Sequence, residues 1–254
     1  MNGAADISIY SLFFSTLLVL ISLIFSYSQK LELEKDIIVS ILRAVIQLFI
    51  MGYLLNYIFG LKNVFFTTFL LIFMIINAAY NASKRGDKIK NVFIISLMSI
   101  SVGTIITLSI LLSLGIIKYE PYQVIPIGGM IISNSMVSLG LSFKQIKYNF
   151  KNKKDEVETK LCLGSNIYQA SSNIIKDSIK VGMIPTIDSA KTLGIVSLPG
   201  MMTGLILAGT SPISAVKYQI IVTFMMLSAT SITSFTACYL SYKKFFNDKK
   251  QLIQ

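Results

Sequence analysis

The chain has 254 residues, 54% hydrophobic and 14% charged, with a formal net charge of +11. Its apolar residues fall in long uninterrupted blocks, which excludes an ordinary water-soluble helical domain, because soluble helices keep a polar face. Histidine is absent, and the two cysteines, Cys162 and Cys238, form no CxxC motif, so imidazole-type zinc or iron sites and a disulfide framework are excluded within this chain.

A hydrocarbon core about 30 Å thick needs roughly 20 apolar residues at about 1.5 Å each. Seven blocks reach or approach that length, at 7–27, 37–59, 64–82, 92–117, 122–143, 193–209 and 218–242. The expected fold is an all-α polytopic membrane protein of about seven transmembrane helices, a single permease-sized domain over 1–254. The first block has no Lys or Arg before it, is too long, and is followed by no small-residue cleavage site, so it is expected to stay as a helix and not be removed as a signal peptide.

Lys and Arg alternate strongly between loops. One set of connections carries Lys30 and Lys35, then Lys84, Arg85, Lys88 and Lys90, then nine lysines from Lys144 to Lys191, then Lys243, Lys244, Lys249 and Lys250; the other carries only Lys62, Lys118 and Lys217. The amino terminus is therefore expected outside and the carboxyl terminus in the cytosol, with a basic tail at 243–254. This basicity also attracts anionic lipid headgroups. Split among short loops, it offers no face for nucleic acid.

In the second block, Arg43 is the one charge inside an expected span, with Gln47 one turn further in. Two readings stand: a functional intramembrane pair at i, i+4, or an arginine that snorkels to the interface. Gln47, Asn56, Asn77, Asn81 and Gln219 fit interhelical hydrogen bonding. All twelve acidic residues fall outside the expected spans, which leaves no carboxylate to relay protons. No GxxxxGK[ST] loop is present, so any pumping must draw on ATP bound by another polypeptide.

The fifth block holds "VIPIGGM", with Pro126, Gly128, Gly129 and Met130, and the sixth holds "SLPGMMTG", with Pro199, Gly200, Met201, Met202 and Gly204. Counting along the blocks puts both interruptions near the midplane. They read either as broken helices lining a transport site or as close-packing seams, Gly200 to Gly204 being a GxxxG face. Met130, Met136, Met201 and Met202 could touch a soft metal or simply pack.

Between these blocks, 144–191 is expected to be a cytosolic interaction segment. Leu163, Ile167, Ala170 and Ile174 recur at four, three and four residues, forming one helical stripe, and Gly164 loosens its start or marks a turn between two short helices. Glu158, Gly164 and Ile174 match the spacing of the coupling loop of ABC importer permeases, while Thr159, Lys160 and a missing "LP" do not; an amphipathic helix on the membrane surface is the alternative.

Taken together, "RAVIQLFIMGYLL", "NAAYNASKR", "VIPIGGMIISNSM", "IPTIDSAKTLGIVSLPGMMTGLILAG" and "KYQIIVTFM" resemble, in order and over essentially the whole chain, the FetB/YbbM family of ABC permeases. The resemblance implies a plasma-membrane permease subunit working with a cytosolic ATPase that binds ATP and Mg, associated in bacteria with iron export and oxidative-stress resistance and in plants with aluminium tolerance. It implies no cofactor or catalytic residue in this chain. Arg43, Gln47, Met130, Asn134, Pro199, Gly200, Met201, Met202 and Gly204 are then the expected pathway or gating residues of a homodimer, with Glu158, Gly164, Ile167 and Ile174 docking the ATPase. Ser133 stands where the family pattern "GMxxGN" has Gly, and "GSNIYQA" departs from the family after Gly164. The class alternative is a stand-alone secondary transporter or channel for a cation or small solute.

Overall fold

The computed structural model describes residues 8, 10, 14–61, 63–87 and 89–253. Helix α1 spans Leu17–Ser28, α2 Glu34–Leu61, α3 Val64–Ser83, α4 Val92–Ser113, α5 Pro121–Asn152, α6 Lys154–Cys162, α7 Ile167–Thr192, α8 Gly200–Leu207 and α9 Pro212–Ser241. Local chemistry sets their ends. Asn63 accepts the Phe65 amide at the start of α3, Asn166 and Gln169 form a reciprocal capping box on α7, and Pro121 and Pro212 occupy first turns where a missing N–H costs nothing. Gly115, Gly164 and Gly209 follow α4, α6 and α8 with φ of +66°, +90° and +94°, the left-handed conformation that stops a helix.

Helices α3, α4, α5, α7 and α9 form one bundle, with α5 at its centre. Val124, Ile131, Leu139, Phe143 and Ile146 of α5 are each 0% exposed. α1 and α2 stand largely apart from it. No residue in the apolar window of α2 is buried, and its contact with the bundle is confined to the stretch near Ile58, which packs with Leu70 and Ile125.

Among the described residues, five helices are long and apolar enough to cross a membrane: Glu34–Asn56, Val64–Gly86, Val92–Ser113, Pro121–Asn152 and Pro212–Phe245. These match the second to fifth and the seventh expected blocks. The first block lies partly outside the described residues, and its described part includes α1, 12 residues long.

The sixth block, 193–209, is not one spanning helix. Gly194 adopts φ +80°, its N–H reaches the Ser197 carbonyl at 2.9 Å, and Pro199 has no N–H to extend a helix backwards, so only Gly200–Leu207 is helical. At Pro126, of the two readings, the structure fits the packing seam and not the broken helix. α5 runs through it unbroken, and its glycines are packing positions: a Cβ on Gly128 would come 2.6 Å from Leu71 Cδ2, and one on Gly129 3.0 Å from Met74 Cε.

Segment 144–191 does not stand apart from the bundle. α7 runs antiparallel to α5 and α9 and enters the bundle. Tyr168 packs against Tyr239, tilted, and Tyr242, edge to face, at the end where Lys243 lies, Gly182 meets Ser138 and Ser234, and Ser189 shares a cleft with Asn134 and Met226. The second half of α7, the irregular stretch 193–199 and α8 therefore stand where a single helix was expected at 193–209.

Candidate functional site

Where α5, α7 and α9 meet, a cleft of about 70 Å³ opens between Asn134, Val137 and Ser138 of α5, Gly182, Pro185, Thr186 and Ser189 of α7, and Met226 of α9. The α7 residues recur at three, one and three, so they share one helical face. Small residues hold the three helices close. Ser138 Oγ donates to the Gly182 carbonyl at 2.8 Å and lies 2.5 Å from Ser234 Oγ, while Thr233 donates to Ser135 at 3.2 Å. A Cβ on Gly182 would collide with Ser142 Oγ and come 2.8 Å from Ser234 Oγ, so glycine is what allows this approach.

Several polar groups in the cleft are left open. Asn134 donates through Nδ2 to the Met130 carbonyl at 2.8 Å and to Met226 Sδ at 3.4 Å; its amide oxygen takes no hydrogen bond among the described residues. Thr186 is 7% exposed, and its hydroxyl has no partner among them. Pro185 lacks an N–H, so the Val181 carbonyl is without its helical donor. Uncharged oxygens, presented at the end of a helix, favour positive partial charge or hydrogen-bond donors.

Depth follows from the helix rise. Asn134 is fourteen residues past Glu120 and ten before Lys144, the charges that flank it on α5, or about 21 and 15 Å. Met226 lies about 14 and 26 Å from Lys217 and Lys243 on α9. The cleft is thus well inside the bundle from both ends.

Beside it sits a pair that the sequence reading placed outside the spans. Lys191 Nζ is 2.9 Å from Asp188 Oδ1, with the side chains 68% and 59% exposed, and Asp188 adjoins Ser189 of the cleft. A carboxylate therefore does lie at this depth, on the outward face of α7. Among the described residues, no three His, Cys, Asp or Glu side chains converge as a metal site.

Of the expected pathway residues, Asn134 lines the cleft and half-buried Met130 supplies the carbonyl that orients it. Arg43 and Gln47 are not brought there. Both are exposed on α2, and Arg43 lies fifteen residues before Ile58, about 22 Å along the helix. Pro199 caps α8; Met201 and Met202 are half-buried, Met201 against the core; Gly200 and Gly204 face open space, with nothing within 4 Å of a would-be Cβ.

Of the expected docking residues, Glu158 lies 3.7 Å from Lys154, and Gly164 makes the turn between α6 and α7. Ile167 is half-buried, whereas Ile174, 2% exposed, belongs to this chain's own core. The sequence reading missed Thr186, Ser189 and Met226 as site residues. Their signal was the small face Gly182, Thr186, Ser189 around Pro185, hidden by the charges on the other side of the same helix.

Comparison with known proteins places this geometry. A family model described as "Uncharacterised protein family (UPF0014)" matches residues 9–246. The chain is 48% identical over 243 residues to "Probable iron export permease protein FetB" of Escherichia coli strain K12, covering 96% of this chain and 94% of that one. It is 37% identical to "Protein ALUMINUM SENSITIVE 3" of Arabidopsis thaliana, over 92% of this chain and 86% of that one. It is 38% identical to "UPF0014 membrane protein YjkA" of Bacillus subtilis strain 168, over 96% and 98%. No solved structure matches it.

Proposed function

The chain belongs to the UPF0014 family of multi-pass membrane proteins, and from that premise we propose that it is the permease subunit of an ABC transporter that exports iron across the plasma membrane. The observation that carries this reading is the broken crossing. α7 ends in mid-bundle beside the cleft and its open oxygens, irregular backbone follows, and α8 packs on α9. Non-helical backbone at membrane depth is tolerated only inside protein or along a cavity, so such breaks accompany transport sites.

In this reading the basic end, with Lys144 and Lys243, faces the cytosol and the amino terminus lies outside, giving about seven crossings when α1 and the α7–α8 pair are counted. Two copies act with two cytosolic ATPase subunits, which bind ATP and Mg. Their closure biases inward-open and outward-open states through α6 and the start of α7. The physiological role is metal homeostasis and resistance to oxidative stress.

Inside-out vesicles carrying both subunits test this. ATP-dependent accumulation of iron is expected, and accumulation of a different solute with none of iron would overturn the iron reading. One observation favours a second reading. Neutral oxygens at a helix carboxyl end also suit a monovalent cation, as in secondary transporters, and gradient-driven flux through the chain without any ATPase would establish that alternative.

A further inference from the structure

The outward face of α7 has no account in lipid. Asn173, Lys176, Lys180, Ile184, Asp188 and Lys191 recur at three, four, four, four and three residues, so they form one stripe on the side opposite the cleft, and all six are exposed. The stripe begins near Tyr168, at the basic end of α9, and climbs to the level of Asn134 and Met226. Charged side chains at that depth face a bundle interior or water, because exposing them to hydrocarbon costs several kcal/mol each. The backbone that follows is also ill suited to lipid: Ile195 and Val196, 89% and 78% exposed, lie in an irregular stretch where the amides of Gly194 to Ser197 bond internally but the Ile195 and Val196 carbonyls accept no hydrogen bond among the described residues. A polar stripe and an exposed irregular segment, continuous along one face, point independently to the same solvent.

We infer that this face of α7, from Asn173 to Lys191, is the wall of a water-filled vestibule that opens at the basic end and stops at mid-depth, and that the vestibule admits an anion. The sign comes from counting. Lys176, Lys180 and Lys191 stand against Asp188 alone, since Asp177 is held by Lys153 at 3.1 Å. The carboxyl end of α7 adds only about half a negative charge. The balance stays positive, and a low-dielectric wall focuses it.

For a metal exporter this sets the form of the cargo. A bare divalent or trivalent cation is repelled, and no cluster of His, Cys, Asp or Glu among the described residues is present to strip and rebind it. A metal inside a shell of anionic oxygen ligands, such as carboxylates, is attracted by the lysines, and its oxygens can accept from the Thr186 hydroxyl. This assignment of cargo class rests on the metal-export reading; the vestibule and its sign do not.

The test uses the full chain with its ATPase in inside-out membrane vesicles, with exposed Cys162 replaced by Ser and buried Cys238 kept. Single substitutions Ile184→Cys and Ile187→Cys, three residues apart on the stripe, probe the vestibule, and Phe224→Cys, 66% exposed on α9, probes the lipid side. Membrane-impermeant methanethiosulfonates, one anionic sulfonate and one cationic trimethylammonium, are applied with and without ATP, and rates are normalised to a small free thiol. Both reagents are expected to modify positions 184 and 187 but not 224, with the anionic one faster by about tenfold or more. Absence of modification at 184 and 187 in every state overturns the vestibule, and a faster cationic reagent overturns the anionic cargo. ATP-dependent iron flux, measured in the same vesicles, separates this from the transport reading: its absence with labelling intact counts against iron export alone.

Discussion

Ser138 on α5 donates a hydrogen bond to the backbone carbonyl of Gly182 on α7 at 2.8 Å, and this contact fixes how closely the broken crossing approaches the centre of the bundle. Helix association in lipid depends on small residues and interhelical hydrogen bonds more than on apolar burial. Gly182→Ala should therefore be costly. Its Cβ would meet Ser142 Oγ, Ser234 Oγ at 2.8 Å and, less yieldingly, the Ser138 carbonyl at 2.9 Å. A loss of about 1 to 3 kcal/mol is expected from overpacking, read as a lower unfolding temperature in detergent. Gly204→Ala, where nothing lies within 4 Å, should leave the isolated chain as stable or slightly more so.

Thr186 tests the cleft without testing the fold. Thr186→Val keeps the shape but removes a hydroxyl that opens on the cleft and has no partner within the described residues, so stability should hold. Transport should fall by about 2- to 10-fold, the worth of one hydrogen bond to cargo, and Thr186→Ser should restore it. Equal transport by the Val and Ser variants would remove Thr186 from the pathway.

These two positions also show what the sequence could disclose. Helices α2 to α5 and α9 were legible because their apolar runs outlast a bilayer, and Ala170 and Ile174 because a stripe at four-residue spacing must be buried on something. What they are buried on was not legible. α7 carries Lys176, Lys180, Asp188 and Lys191 on one face, which lowers its mean hydropathy below that of a span, so the helix reads as cytosolic although its other face packs on α5 and α9. Pro126 left two readings open, a broken helix or a packing seam. The carbonyl it orphans belongs to Tyr122, in the first turn of α5, and the packing of Gly128 and Gly129 on α3 holds the helix through it.

Helix α6 carries a pH dependence of its own. Lys160 reaches Glu156 one turn earlier and, chiefly through that hydrogen bond, holds the Glu156 carboxyl below its ordinary value of 4.5. A carboxyl lowered on folding adds stability that is fully present above its unfolded value and is lost as pH falls through the folded one. Acidification below about pH 4.5 should therefore loosen α6, and amide exchange between Lys154 and Cys162 should quicken there. Because the pair is exposed, the effect should be small, and Lys160→Gln should abolish its pH dependence.

Under the proposed coupling to an ATPase, the surface left for it follows from which residues α6 and α7 commit to this chain's own core. Leu163 is 80% exposed at the turn made by Gly164, and Cys162 beside it is exposed, whereas Ile174, three turns on, is sealed against α5 and α9. Docking energy must then come from the turn, with Glu158 and Ile167 at its flanks, and not from the whole stripe. In vesicles containing both subunits, thiol crosslinking from native Cys162 and from Leu163→Cys should capture the ATPase, while Ile174→Cys in a Cys162→Ser chain should not. Capture from position 174 at a rate matching 163 would mean that α7 leaves the bundle when the partner binds, because a side chain 2% exposed cannot otherwise meet a second protein.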